Sequence, residues 1–133
     1  MNSWGIPCNL KYFDVIEWFK NNETVVWKRG NRSMSVGDEV YIYIGIPNKE
    51  IKYKCEIIDV AVDSATLAEN KYATIGDYEH NHKYMKLKKV HEYEEGIDLE
   101  TIKKCGTYLI RKQGRLDRKL ENYIHDLNTK LGV

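Results

Sequence analysis

Two alternating segments joined by a short polar turn constrain the fold of this chain most strongly. Residues 40–44 alternate between aliphatic side chains and tyrosines, and residues 51–57 of the predicted strand 51–60 alternate between apolar and charged side chains, as two-faced β-strands require. Pro47 and Asn48 mark the turn between them. We therefore predict an antiparallel hairpin whose first strand is half buried. The first strand carries on one face Val40, Ile42 and Ile44, and the second strand carries on one face Ile51, Tyr53, Cys55 and Ile57.

Two further short strands are predicted on either side of a first helix, at residues 3–8 and 25–28. Asn9 is predicted to cap this helix, because its side-chain oxygen can accept a hydrogen bond from an early helical N–H group. Asn21 and Asn22 are predicted to end it. The apolar residues at helical spacing are Tyr12, Val15, Ile16 and Phe19.

The second half of the chain predicts a long strand at residues 84–93 and a short helix capped by Asp98 that runs to Lys104. A last strand is predicted at residues 107–110, followed by a C-terminal helix. Residues 61–82 fit no clear period, and we expect a helical turn and then a polar loop there. The apolar stripe of the C-terminal helix consists of Leu116, Leu120, Tyr123, Ile124, Leu127 and Leu131.

Hairpins dominate these predicted elements, and strands outnumber helices. The pattern indicates an α+β or β-barrel-like fold with peripheral helices. The length of 133 residues suits one domain, residues 1–133, with one hydrophobic core. Ten tyrosines against two phenylalanines favour half-wet surfaces and ring-binding grooves, because tyrosine combines a flat apolar face with a hydroxyl group.

Charge and cysteine content exclude several classes of protein. The net charge of +1 gives no global basic field, although individual Lys and Arg side chains can still contact phosphates. Cys8, Cys55 and Cys105 are odd in number and widely spaced, which disfavours a zinc knuckle or a disulfide framework and favours a reducing compartment. No apolar run approaches the ~20 residues of a membrane span, and no leader pattern is seen. We expect a cytoplasmic protein without membrane association.

Large aromatic side chains next to a polar one form the first candidate site. Trp4 and Trp27 flank the first helix, and Asn9 follows the first strand. Flat side chains at strand ends can build a cage around a planar ring. Tyr41 and Tyr43 share one strand face, so either is a candidate for a further wall. The alternative for all four aromatic residues is ordinary packing in the core or under a helix, and Asn9 can serve as a helix cap.

The basic segment 111–115 forms the second candidate site, for phosphate groups. Gly114 permits a close turn, and the first turn of a helix follows, where N–H groups attract anions. The alternative is an ordinary wet surface with ion pairs from neighbouring charged residues. The full set of candidate phosphate-binding residues is Arg29, Arg32, Lys52, Lys54, Arg111, Lys112 and Arg115.

Catalytic interpretations are weaker. Asp38, Glu50 and Lys52 imitate the carboxylate and lysine pattern of metal-dependent nucleases, but with 31% charged residues such matches arise by chance. The segment 80–82, His-Asn-His, lacks further ligands for a metal and is typical of a solvated loop. No cysteine has an adjacent histidine to activate it. We predict no enzyme activity, no catalytic residue, no metal and no cofactor.

Several short stretches along nearly the whole chain resemble the EVE domain, a small domain of the PUA-like superfamily that is related to YTH domains. These stretches are residues 4–9, 26–28, 36–43, 53–56 and 110–116. The resemblance implies a mixed, mostly antiparallel β-barrel with peripheral helices. Residues 61–82 have no counterpart in it.

The resemblance also implies a function. EVE domains are associated with modified cytosine or adenine in DNA, and are often attached to restriction nucleases; YTH domains hold N6-methyladenine in an aromatic cage. Trp27 matches a cage position, and Asn9 matches a residue that contacts the base edge. The implied partner is nucleic acid, DNA in preference to RNA, with any nuclease supplied by a separate protein. The alternatives are an RNA-binding PUA-like module, a small metal-dependent nuclease, and a protein-interaction adaptor with a tyrosine-rich face.

Overall fold

The computed structural model describes residues 1–62, 84–106 and 110–133, which form six strands and three helices. The strands are β1 (Ser3–Cys8), β2 (Thr24–Lys28), β3 (Glu39–Ile44), β4 (Glu50–Val62), β5 (Tyr84–Asp98) and β6 (Gly114–Arg115). The helices are α1 (Val15–Asn21), α2 (Leu99–Lys104) and α3 (Arg118–Leu131). The predictions for residues 64–70, 72–82 and 107–109 fall outside the described residues.

All six strands belong to one curled sheet in the order β2-β5-β4-β3-β1-β6. The β1–β3 pair is parallel and every other pair is antiparallel. The predicted hairpin is confirmed as β3 and β4, with Val40 opposite Cys55. The prediction of an α+β fold with a mixed, mostly antiparallel barrel-like sheet is also confirmed.

The curl of the sheet brings its two edge strands into contact. The ring of Phe13, which follows β1, packs edge-on against Trp27 of β2 at 5.7 Å between centroids. Gln113, which precedes β6, is hydrogen-bonded to the main chain of Lys28 and Gly30 at the end of β2. Side chains, rather than a further strand pairing, therefore join β2 to the β1–β6 edge.

The alternation in β3 separates two hydrophobic cores, one on each face of the sheet. Val40, Ile42 and Ile44 face the α1 core, and Tyr41 and Tyr43 face the α3 core. The prediction of a half-buried strand is wrong, because helices cover both faces and neither tyrosine is more than 3% exposed. The α1 core also contains Trp4, Phe13, Val15, Phe19 and Tyr53, and the α3 core also contains Tyr93, Ile102, Leu116, Leu120 and Ile124.

The face predicted for Ile51 is also wrong. Ile42 lies opposite Tyr53 and Tyr43 lies opposite Ile51, so Lys52 is the extra residue of a β-bulge. Because a bulge reverses the alternation, Ile51 packs in the α3 core while Tyr53 packs in the α1 core. The sequence pattern alone contains no signal for this bulge.

Asn9 does not cap α1. The Asn9 side-chain Oδ1 accepts from Lys11 N at 2.9 Å, and its carbonyl accepts from Tyr12 and Phe13, which forms a turn before the helix. Asp14 is the cap instead, with its Oδ1 accepting from Glu17 N at 3.1 Å. The predicted end of the helix at Asn21 and Asn22 is confirmed.

Asp98 caps α2 as predicted, by accepting from Thr101 N at 2.8 Å. At the C-terminus, Ile110 lies outside any strand, and Gly114–Arg115 form the unpredicted β6. In α3, Leu120 and Ile124 are buried as predicted, but Tyr123 and Leu131 of the predicted stripe are 41% and 50% exposed. None of the helices in the described ranges is long and apolar enough to span a membrane.

Candidate nucleic-acid interface

Trp27 lies near the end of the edge strand β2, opposite Met85 of β5. Its side chain is half-buried against the α1 core, and the Phe13 ring meets it at an interplanar angle of 72°. This T-shaped contact orders the indole. Trp27 is thus an ordered aromatic side chain at the rim of the curled sheet.

Asn9 is exposed and reaches Trp27 only indirectly. Phe13 donates its backbone N–H to the Asn9 carbonyl at 3.1 Å and packs its ring on Trp27. Asn9 and Trp27 share no hydrogen bond or ring contact within the described residues. Since Oδ1 already accepts from Lys11, the side-chain amide group of Asn9 offers its N–H donors at the surface.

Trp4 is 1% exposed and lies inside the α1 core. Its Nε1 donates to Asp38 Oδ2 at 2.9 Å, and the same carboxylate accepts from the backbone N–H groups of Asn2 and Ser35. Burial opposes ionisation of Asp38, but these hydrogen bonds outweigh it and hold the Asp38 pKa below its usual range. Trp4 is therefore a buried residue behind the rim. Within the described residues, the α1 core and the Arg115 guanidinium cover its ring.

Tyr41 and Tyr43 lie on the opposite face of the sheet from Trp27, in the α3 core. The Tyr41 hydroxyl donates to Glu39 Oε1 at 3.0 Å and accepts from Asn128 Nδ2 at 3.1 Å. Burial raises the pKa of both tyrosines above the usual value. Phe13 links Trp27 to the main chain of Asn9, and neither tyrosine lies on that face of the sheet.

Gln113 connects the basic segment 111–115 to the strand of Trp27. Its Nε2 donates to the Lys28 carbonyl at 2.6 Å, and its Oε1 accepts from Gly30 N at 2.7 Å. Lys28 is the next residue after Trp27, so this bridge places the predicted phosphate-binding segment beside the aromatic candidate. The sequence analysis missed this role of Gln113, because no sequence pattern links residues that are 85 positions apart.

Arg115 is exposed and lies over the ring of Trp4, its cross-strand partner, at 5.5 Å from the ring centroid. Stacking on an aromatic face orders a guanidinium while its N–H groups stay available to an anion. Arg111 and Lys112 are exposed as well. Three cations of one segment thus lie at the sheet edge next to β2.

A cavity of about 510 Å³ opens beside this segment. Its wall combines backbone and aliphatic groups with charged ones. The lining residues are Gly5, Ile110, Arg111, Lys112, Gln113, Gly114, Arg115, Leu116, Asp117 and Leu120.

The other candidate phosphate-binding residues differ in availability. Arg29 donates to the carbonyls of Met34 and Arg32, which orders the loop after β2, and the Arg32 side chain is exposed. Lys54 is 13% exposed and pairs with Glu39 at 3.4 Å. Lys52 is the half-buried residue of the β-bulge.

A partly buried polar network joins β3 to α3 around Glu39. Its Oε1 accepts from Ser3 Oγ at 3.0 Å and lies 2.9 Å from His125 Nε2, which in turn lies 3.3 Å from Ser3 Oγ. A serine–histidine–carboxylate triad uses both imidazole nitrogens, whereas here one nitrogen meets both partners, and Ser3 is 2% exposed. The network, which the sequence analysis missed, is therefore a structural link.

The nuclease pattern is not assembled. Asp38 precedes the first residue of β3, whereas Glu50 pairs with Ile44, the last residue of β3. A strand of this length separates its ends by about 20 Å, too far for one metal centre. Among the residues that the structure describes, no group of three or more His, Cys, Asp or Glu side chains is placed to hold a metal ion. The His80–His82 segment lies outside the described residues.

Neither a protein-family model nor a curated protein sequence matches this chain. Its fold matches several solved structures over nearly their whole length. A hypothetical protein from Leishmania major is 18% identical, with a TM-score of 0.67 and coverage of 100% of this chain and 98% of that one. An ASCH protein from Zymomonas mobilis is 10% identical, with a TM-score of 0.64 and 95% coverage of both chains.

Human THYN1, solved in complex with DNA containing 5-methylcytosine, is also similar. It is 13% identical, with a TM-score of 0.66 and coverage of 96% of this chain and 97% of that one. At these identities the likeness shows the fold. The chain thus has the PUA-like fold that its resemblance to EVE domains predicted, while membership of the EVE family itself stays a prediction.

Proposed function

We propose that this chain is a non-enzymatic, EVE-type nucleic-acid-binding domain that holds a modified base against Trp27. The observation that supports the proposal is the Gln113 bridge to Lys28, which links the segment of three exposed cations to the residue that follows the half-buried Trp27. Aromatic stacking for the base and cations for the phosphates are the two components that nucleic-acid sites combine. The likeness to human THYN1, whose structure contains 5-methylcytosine DNA, supports the same function.

Each residue has a physical role in this proposal. Trp27 stacks on the base, and the amide N–H groups of Asn9 contact an acceptor on the base edge. Trp4 supports Arg115 from below, and Tyr41 and Tyr43 hold α3 against the sheet rather than touching the base.

The phosphate contacts come from side chains that are exposed. They are Arg32, Arg111, Lys112 and Arg115. Arg29 orders the loop that carries Arg32, and Lys54 neutralises Glu39. The proposed site therefore has two parts. Trp27 stacks on the base, and the four exposed cations form a cationic edge that contacts the phosphates.

The free energies of base flipping, stacking and methyl burial set how strongly such a site can prefer a modified base. Taking a base out of a duplex costs a few kcal/mol, and stacking on an aromatic side chain returns about 1–3 kcal/mol. Burying one added methyl group contributes only about 0.8 kcal/mol. Methyl burial alone therefore supplies about a fourfold difference between the dissociation constants of the plain and the methylated base. A larger preference requires a tight fit around the methyl carbon.

The proposal is tested by measuring the affinity of the protein for two oligonucleotide duplexes that differ only in one 5-methylcytosine. We expect the methylated duplex to bind at least about fourfold tighter. Equal dissociation constants for this pair and for a matched N6-methyladenine pair would overturn base reading. Competition with single-stranded RNA of the same sequence tests the DNA preference, because RNA adds 2′-hydroxyl contacts.

A further inference from the structure

Two glycines lie opposite each other in the two strands that end the sheet on one side. Gly5 of β1 is the cross-strand partner of Gly114 of β6. Directly opposed residues of an antiparallel pair share a face. That face is the one of the α3 core, because a Cβ added at Gly5 would lie 2.9 Å from Ile110 Cδ1 and 3.0 Å from Leu116 Cδ2.

The cavity of about 510 Å³ lies where this pair has no side chains. A Cβ added at Gly114 would meet no atom of the described residues within 4 Å, so these residues leave the space above Gly114 open. Ile110 and Leu116 cover Gly5, so only the Gly114 backbone is bare, and these two aliphatic side chains form the rest of the floor. A bare glycine backbone lets a flat group approach more closely than any other residue would.

The rim of the cavity carries positive charge. Arg111 and Lys112 line it and are exposed. Asp117 also lines it, but its Oδ1 accepts from Lys119 N at 3.0 Å as the cap of α3. An apolar floor beneath two cations suits a planar ring that carries a phosphate.

β6 is the outermost strand of the sheet and separates this cavity from the Trp27 side. The Arg115 guanidinium lies over Trp4, on the face of β6 opposite that of Gly114, and Arg115 also lines the cavity. Because no further strand lies beyond β6 in this sheet, as far as the described residues show, a polynucleotide backbone can cross the edge from Arg115 to Arg111.

We propose that the cavity over the Gly5–Gly114 pair takes the base of a second nucleotide in the same strand as the base held by Trp27, with its phosphate on Arg111 and Lys112. This inference rests on the proposed function and makes it more specific. Two unstacked bases cost more in a duplex than in a single strand, since each must be unpaired. The site therefore favours an unpaired segment of nucleic acid around the modified base.

An abasic scan tests the second subsite. The probes are single-stranded oligonucleotides of about ten nucleotides with one central 5-methylcytosine, in which each neighbouring base is removed in turn while its phosphate stays. Removing the base at one flanking position should lower the affinity of the wild-type protein roughly tenfold, because a stacked base contributes about 1–3 kcal/mol to binding.

The variant Gly114→Leu fills the cavity, because its side chain enters open space and Gly114 is not among the glycines with positive φ. In this variant the abasic substitution at that flanking position should have no further effect, while the preference for 5-methylcytosine over cytosine stays unchanged. Asn122→Leu is the control, since it adds the same side chain at an exposed position of α3 that does not line the cavity. It should behave as wild type in both measurements.

The outcomes separate this inference from the proposed function. If wild type prefers 5-methylcytosine but no flanking abasic position weakens binding, the second subsite is wrong and the base reading stands. If a flanking position matters equally in wild type and in Gly114→Leu, the base lies elsewhere and the cavity assignment is wrong. If wild type binds modified and plain strands equally, the proposed function fails first. If Gly114→Leu does not fold, Gly114→Ala gives the same comparison, because its single added carbon meets no described atom within 4 Å.

Discussion

The side-chain amide of Gln113 donates to the main-chain carbonyl of Lys28 at 2.6 Å, across the gap between the two edges of the curled sheet. The same amide accepts from Gly30 N at 2.7 Å. One side chain therefore satisfies two backbone groups at the end of β2 and fixes the basic segment next to Trp27. In our account this bridge couples the cationic edge to the aromatic element.

Gln113→Ala should weaken both the fold and nucleic-acid binding. The variant removes the partner of the Lys28 carbonyl and of the Gly30 N–H, and because water can reach the exposed Gly30, we expect a loss of about 1 kcal/mol in the free energy of unfolding. Urea unfolding measures this loss. Oligonucleotide titration should show weaker binding to modified and plain duplexes alike.

Gln113→Glu is the matched control for the bridge. A carboxylate can still accept from Gly30 N, but its second oxygen would face the Lys28 carbonyl oxygen and repel it, so we expect a loss of stability at least as large as in Gln113→Ala. Wild-type stability in both variants would show that the bridge contributes nothing.

Arg115→Ala should lower affinity for every nucleic acid by a similar factor and leave the preference for a modified base unchanged. Phosphate contacts carry no base information, and losing one reduces the slope of log affinity against log salt by about 0.9 for a duplex. Titrations at several salt concentrations measure this slope.

Lys130→Ala is the control, because Lys130 is an exposed cation in the last turn of α3. It should keep the wild-type slope. A change in base preference in Arg115→Ala, with the salt slope intact, would contradict a phosphate role for this residue.

The carboxylate of Glu39 should make stability depend on pH in the acid range. Burial raises its pKa, but hydrogen bonds with His125, Ser3 and Tyr41 outweigh burial, so the folded-state pKa lies below the usual value. A group with a lowered folded pKa stabilises the fold above its unfolded pKa of about 4.3, and this stability is lost as pH falls through the folded pKa. Urea unfolding between about pH 7 and pH 3 should therefore show a steep fall in stability.

Glu39→Gln isolates this contribution. It should be less stable than wild type near neutral pH, by about 1–3 kcal/mol, and should lose less on acidification. Glu17→Gln is the control, since Glu17 forms an exposed pair with Lys20 that contributes little. An unchanged acid dependence in Glu39→Gln would mean that Asp38 and other carboxylates carry the effect.

Much of the fold could be predicted from local pattern. The alternation in β3 and the turn at Pro47 and Asn48 specify the hairpin, and Asp98 signals the start of α2. The face of Ile51 could not be predicted, because the bulge at Lys52 arises from strand pairing rather than from composition. Asn9 and Asp14 are both good caps, and only the turn formed by Asn9 decides between them.

The candidate site was harder to predict than the fold. Aromatic content cannot distinguish Trp27 at the rim from Tyr41 in the α3 core, since burial depends on which helix covers each face. The contact of Gln113 with Lys28 and the pairing of Gly5 with Gly114 join distant segments, and neither leaves a trace in local sequence. Long-range pairing thus determines the site.

The most direct test of the proposed function compares Trp27→Phe with Trp27→Leu. Both substitutions keep an apolar side chain against Phe13, but only Trp27→Phe retains an aromatic ring on which a base can stack. The measurement is the ratio of dissociation constants for plain and 5-methylcytosine duplexes. We predict a ratio near one for Trp27→Leu and a partly retained preference for Trp27→Phe. A wild-type ratio in folded Trp27→Leu would contradict the account.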